Sequence, residues 1–147
     1  MDKKLKQVEE MAKDLINYYC PVYKFQWDGA VKRYGYCSYE HKTVSISKPL
    51  ATLNPVDVTL NTVLHEIAHA LSPKSAHHGR EWKSVARSIG NDGLRCYGAI
   101  VARPQAKYVG TCPNCDKIIF RHRRKRIACA KCCAGVFNEE YLFIWNE

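Results

Sequence analysis

Apolar residues in the first third of the chain follow two different periods. Over residues 3–19, Leu5, Val8, Ala12, Leu15, Ile16 and Tyr19 recur three or four apart, which predicts an amphipathic helix. The period then shortens. Residues 22–27 and 30–37 predict strands joined as a hairpin at Asp28-Gly29. Residues 42–47, after a turn at Glu40-His41, predict another strand, in which Val44 and Ile46 face the core and Thr43, Ser45 and Ser47 face outward along an exposed edge. Helical spacing returns after Asn54-Pro55, read as an N-cap with proline at the first helical position, and Val58, Val63, Leu64, Ile67, Ala70 and Leu71 carry it forward. That helix ends near Ser72-Pro73, because a proline disfavours helical geometry in the residue before it. Residues 74–77 form a loop, and residues 80–89 a second helix with Trp82, Val85, Ala86 and Ile89 on one face and Gly90 as its stop. Asn91-Asp92-Gly93 breaks the pattern, and the stretch to about Gln105 is irregular or extended. Helices on a small, mostly antiparallel sheet make an α+β fold.

The helix after Pro55 carries His65-Glu66-Ile67-Ala68-His69. Residues four apart share a helix face, so His65 and His69 can offer two imidazoles to one metal, with Glu66 beside them to accept a proton from water. Two histidines and a glutamate on a largely apolar helix are costly to bury without such a partner. A catalytic zinc takes three protein ligands and keeps a fourth position open, and His77, His78 and Glu81 are the candidates for the third.

Cysteine and charge add a second centre. Cys112-Pro113-Asn114-Cys115 and Cys129-Ala130-Lys131-Cys132 are two CxxC knuckles, thirteen residues apart, with the spacing of a closed four-thiolate structural zinc site. Cys133 directly follows Cys132 and leaves the fourth ligand open between the two. Cys20, Cys37 and Cys96 read as small buried or half-buried thiols. Of the net charge of +9, a balance of +8 lies between Arg103 and Lys131, where nine Lys or Arg face one acid, Asp116. Lys117, Arg121, Arg123, Arg124, Lys125 and Arg126 are candidate phosphate contacts near Tyr108, Ile118, Ile119 and Phe120, with Phe120 expected in the core.

The run His65 to His69, followed by His78-Gly79-Arg80-Glu81-Trp82, resembles the SprT-like metalloproteases, in which a zincin helix is followed by His-Gly-x-x-aromatic. The segments 33–38 and 43–47 look like the strand pair before that family's active-site helix, and the knuckles look like the zinc ribbon many members carry. The resemblance selects His78 as third ligand. It implies a zincin-like catalytic domain over residues 1–104 and a C-terminal β zinc ribbon over residues 105–147. It further implies an edge strand that accepts substrate peptide, with residues 42–47 as the candidate.

The expected function is a zinc-dependent endopeptidase: His65, His69 and His78 hold catalytic Zn²⁺, Glu66 is general base, and Cys112, Cys115, Cys129 and Cys132 hold a structural zinc. The resemblance implies DNA-bound or DNA-crosslinked proteins as substrates, with DNA, single- or double-stranded, as partner. The alternatives are a nucleic-acid-binding or regulatory zinc protein without turnover, and a peptidase whose ribbon only docks protein. At 147 residues and 46% hydrophobic content the chain suits one compact domain plus a small module. No apolar run suits a membrane span or signal peptide, so a cytoplasmic protein is expected, nucleoid-associated or nuclear if DNA-bound.

Overall fold

The computed structural model describes residues 2–94 and 102–146. The chain divides between Pro104 and Gln105 into two compact units. In the first, the order is α1 (Lys3–Tyr19), β1 (Lys24–Asp28), β2 (Gly35–Ser38), β3 (Thr43–Ser47), α2 (Lys48–Leu53), α3 (Val56–Leu71), a 3₁₀ turn (Lys74–Ala76) and α4 (Arg80–Ser88). Helix α1 follows its apolar spacing: Leu5, Val8, Ala12 and Ile16 are all buried, and Asp2 caps it by accepting the Lys4 N–H at 2.9 Å.

The sheet has the order β1-β3-β2, with β1 parallel and β2 antiparallel to the central strand. This corrects three expectations. The segments on either side of Asp28-Gly29 do not form a hairpin, because β3 lies between them. The sheet pairs one strand each way and so is not mostly antiparallel. Residues 42–47 form its centre, so they cannot be the edge that receives a peptide; β1 and β2 are the edges. The alternating pattern misled because Ser45 and Ser47 are polar yet buried, at 4% and 0% exposure. Their hydroxyls are satisfied internally: Ser45 Oγ donates to Asp28 Oδ2 at 2.5 Å, and Ser47 Oγ to the Ala30 carbonyl at 2.5 Å. Asp28 also accepts the Ala30 N–H at 2.9 Å, which turns the chain away from β1 instead of folding it back.

Val44 and Ile46 from β3 meet Ala12 and Ile16 of α1, Leu50 of α2, and Val63 and Ile67 of α3 in one core with Tyr34. Each such fully buried side chain contributes roughly 1.5–3 kcal/mol of transfer free energy. Tyr34, with no exposed surface, pairs its hydroxyl with Thr59 Oγ1 at 2.6 Å, fixing the approach to β2 against α3. Helix α2 was not expected; Ser47 caps it by accepting the Leu50 N–H at 3.1 Å, and Pro49 sits in its first turn. Consequently Asn54 is the C-cap of α2 and not the N-cap of α3, whose cap is Pro55. The Asn54 amide donates to Leu50 and Ala102 carbonyls at 2.8 and 2.9 Å and accepts from Ala102 N–H at 2.9 Å. It therefore anchors residue 102 to the α2–α3 junction. Helix α4 stops at Gly90, which has φ +97°, and Asn91 then donates to the Asn61 carbonyl at 2.8 Å, returning the chain to α3. The expected irregular stretch toward Gln105 falls partly on residues 95–101, which lie outside the described residues together with Cys96.

The second unit contains β4 (Tyr108–Thr111), β5 (Ile118–Arg121), a short helix α5 (Ala130–Cys133), a 3₁₀ turn (Glu139–Tyr141) and β6 (Ile144–Trp145). Its strands pair antiparallel in the order β5-β4-β6. Cys112, Cys129 and Phe143 form its small buried core, flanked by Ile119, Tyr141 and Trp145. Phe120, expected inside, is 61% exposed, because Ile119 takes the inward position on β5 and Phe143 fills the space instead. Among the described residues, no helix is long and apolar enough to cross a membrane.

Candidate metal centres

Helix α3 delivers His65 and His69 one turn apart, and Glu66 beside them, on the face turned toward β2. The His-Gly segment after the 3₁₀ turn supplies His78. The His65 and His69 Nε2 atoms lie 3.1 and 3.0 Å from His78 Nε2, so three ring nitrogens converge on one point. Zinc–nitrogen bonds of 2.0–2.1 Å in a tetrahedron place such nitrogens about 3.3 Å apart, so the donor set fits zinc closely. His77, by contrast, is exposed and Glu81 lies on the outer side of α4; neither joins the cluster.

Trp82 is the support beneath the cluster. Fully buried on α4, its ring lies 4.6, 5.3 and 4.8 Å from the His65, His69 and His78 rings, the His69 pair being stacked. Its indole N–H points to the His65 carbonyl at 3.4 Å. Burial pushes His65 down to about 3, reinforced by His69 and His78, while Asp92 and a Leu94 backbone hydrogen bond oppose the shift. Burial likewise pushes His69 down to about 4, with His78 and His77 adding to it. Both imidazoles are thus held neutral at physiological pH, the protonation state a metal ligand needs.

Glu66, 4% exposed, places Oε1 3.8 Å from His65 Nε2. The backbone of β2 runs directly over it. A Cβ on Gly35 would come within 2.9 Å of Glu66 Cγ and of Thr62 Cγ2, so only glycine permits this approach. The cluster opens into a cleft of about 830 Å³ whose lining includes Gly35, Tyr36, Cys37, Ser38 and Tyr39 together with Lys74, His77 and His78. Neither Gly35 nor the platform role of Trp82 was found from sequence. A glycine inside a strand pattern is a signal of close backbone approach that could have exposed the first.

In the second unit, the Cys112, Cys115, Cys129 and Cys132 sulfurs cluster within 4.8 Å of one another. Cys112 Sγ is 3.8 Å from Cys132 Sγ and Cys115 Sγ is 3.7 Å from Cys129 Sγ. Zinc–sulfur bonds of 2.3 Å in a tetrahedron set sulfurs about 3.8 Å apart, so this cluster also fits zinc. Cys133 stands outside it, with Sγ 3.9 Å from the Asn138 carbonyl. Although burial opposes it, backbone N–H groups of Cys115 and Asn114 hold the Cys112 thiol down to about 7.

The basic candidates lie on the same unit. Lys117, Arg123, Arg124, Lys125 and Arg126 are exposed and Arg121 is half-buried. Arg124 lies over the Tyr108 ring at 5.0 Å, and Arg126 pairs with Glu139, leaving Arg123 and Lys125 as its most available neighbours. Cys20 and Cys37 are buried, as expected.

An α+β unit with a three-imidazole, one-carboxylate centre in an open cleft defines a candidate metallohydrolase. The chain belongs to the SprT-like family, which it matches over residues 2–103. That family is generally one of zinc metalloproteases, and the matched span contains the whole histidine cluster but not the cysteine cluster. No curated protein matches the chain.

Proposed function

We propose that this chain is a zinc-dependent endopeptidase of the SprT-like type that acts on DNA-bound or DNA-crosslinked proteins, and that its second unit is a zinc ribbon holding nucleic acid. The observation that carries the reading is the convergence of three Nε2 atoms, two of them 3.0 and 3.1 Å from the third, beside a buried Glu66 in a cleft of about 830 Å³. His65, His69 and His78 hold zinc, which when bound supplies the Lewis acidity that favours deprotonation of water and polarises a carbonyl. Glu66 takes a proton from the attacking water at its carboxylate and returns it to the leaving nitrogen. Trp82 keeps the three rings in position. Strand β2, an edge strand bordering the cleft, is where an extended substrate adds to the sheet, its free N–H and C=O groups aligning the scissile bond over Glu66.

The arginines of residues 121–126 hold phosphate by charge, without reading sequence. Tethering the peptidase to nucleic acid raises its effective concentration near proteins attached there. The deciding experiment is cleavage of one protein free, mixed with DNA, and crosslinked to DNA. The expected results are turnover stimulated by DNA, and turnover abolished in Glu66→Gln with zinc content unchanged. Activity retained in Glu66→Gln removes the peptidase mechanism. Binding should also respond to salt: if Arg123, Arg124 and Lys125 each neutralise one phosphate, affinity falls roughly 20-fold for single strands and 40-fold for duplex between 50 and 200 mM salt. Replacing all three by alanine should flatten that dependence, and an unchanged slope removes them from the interface.

A further inference from the structure

His77 lies on a backbone that suits glycine better. The Gly79 N–H donates to the Ala76 carbonyl at 2.8 Å, closing a four-residue turn in which His77 holds the first central position at φ 48°, ψ −124°. Those angles are those of a type II′ turn, whose first central position is normally glycine because any Cβ there is strained. The turn is needed, since it carries the chain from the 3₁₀ segment into His78. The imidazole at 77 is not needed to make it. The residue is exposed, so it is not part of the buried core. Strain kept at such a position points to a use for the side chain.

His77 also lines the cleft into which Glu66 and the three converging imidazoles open. It is one Cα step, about 3.8 Å, from His78. Other donors in the cleft are differently placed. Arg33 is committed to Asp28 at 3.5 Å and to the Tyr36 ring at 4.7 Å, and Tyr39 directly follows β2, on a different segment of the cleft lining from His77.

We propose that His77 is a catalytic residue that donates a hydrogen bond to the carbonyl oxygen of the scissile amide as that oxygen becomes an oxyanion. The inference rests on the peptidase reading. The water oxygen bonds to the carbonyl carbon, its proton passes to Glu66, and the carbonyl π pair moves onto the oxygen, where the His77 N–H meets it. When the tetrahedral centre collapses, the pair returns, the C–N bond breaks, and the proton on Glu66 goes to the nitrogen. His77 keeps its own proton throughout.

The test uses the zinc-loaded full chain with casein as substrate in the presence of DNA, comparing the unaltered protein with His77→Gly, His77→Asn, Tyr39→Phe and Glu66→Gln. Loss of one oxyanion donor lowers kcat by about 10²–10³-fold. His77→Gly should show that loss with KM within about threefold, unchanged zinc content, and a higher Tm because the turn is relieved. His77→Asn, which keeps a donor, should recover part of kcat, and Tyr39→Phe should lose little. A phosphinic peptide that mimics the tetrahedral centre should bind His77→Gly more weakly by a factor similar to the kcat loss. The proposal is overturned by kcat within threefold in His77→Gly, by an effect confined to KM, by zinc loss that accounts for the fall, or by a lowered Tm. If the unaltered chain is as inert as Glu66→Gln, the peptidase reading itself has failed, and this inference fails with it; an active chain with an equally active His77→Gly fails the inference alone.

Discussion

Replacing Gly35 by alanine adds one methyl group to β2 directly above the proposed base. That carbon would sit 2.9 Å from Glu66 Cγ and from Thr62 Cγ2, short of ordinary van der Waals contact by about 0.6 Å at each. Three groups could give way. The β2 backbone is held by pairing to β3, with Gly35 opposite Ile46, and Thr62 is fully buried on α3 with its hydroxyl on the Val58 carbonyl at 3.2 Å. Of the two side chains, Glu66 lines the cleft and Thr62 does not, so Glu66 takes most of the displacement. Overpacking of this kind costs about 1–3 kcal/mol, and in a unit of this size each kcal/mol lowers Tm by roughly 4–8 °C. The effect on chemistry is larger in proportion, because a misplacement near 1 Å costs on the order of 10²-fold; a shift of about 0.6 Å therefore predicts a kcat loss of roughly 10- to 100-fold. Steady-state cleavage kinetics, zinc analysis and thermal melts on Gly35→Ala would check this together. Full kcat with a lowered Tm would mean that Thr62 or the strand moves instead of Glu66. Loss of zinc would mean that the strain reaches the histidines. Either result refutes the argument.

Two further outcomes follow from the cysteines. Cys132→Ser should reduce bound zinc from about two ions per chain to about one, whereas Cys133→Ser should leave both; metal analysis of the purified variants decides it, and the reverse result would move the fourth ligand. Burial raises Cys20 to about 11, and burial followed by the charges of Glu66 and Cys20 raises Cys37 to about 12, from an unfolded value of 9.0. Because the folded values are raised, the stability these thiols contribute is full below pH 9 and is lost as pH rises toward 11–12. Iodoacetamide at pH 8 should therefore modify both only after addition of denaturant, and rapid labelling of the native chain would contradict their burial.

Much of the site was legible in the sequence because it is local. Helical spacing alone places His65, Glu66 and His69 together, and Pro73 and Gly90 punctuate the helices where the structure ends them. The third ligand came from resemblance, since spacing by itself left His77, His78 and Glu81 open. What stayed hidden depends on pairing between distant segments. Whether Ser45 and Ser47 face water or a neighbour is set by Asp28 and Ala30 reaching them across the sheet, so polarity alone gave β3 the wrong position. Asn54 looks the same in sequence whether it begins one helix or ends another. Gly35 and Trp82 matter through what lies across from them, and a single chain of letters carries no record of that.

Trp82 gives the metal centre a mechanical meaning as well. Helix α4 is held to α3 by a small apolar patch of Ala68, Trp82 and Ala86, separate from the main core. The same indole touches all three imidazoles, and His78 precedes the first turn of α4. A metal bound there ties α3 to the segment that leads into α4. Chelation is then a local unfolding stimulus, loosening α4 and the His77-His78 segment before it while the sheet and α1 stay intact, so the cleft lining changes before the unit loses its fold.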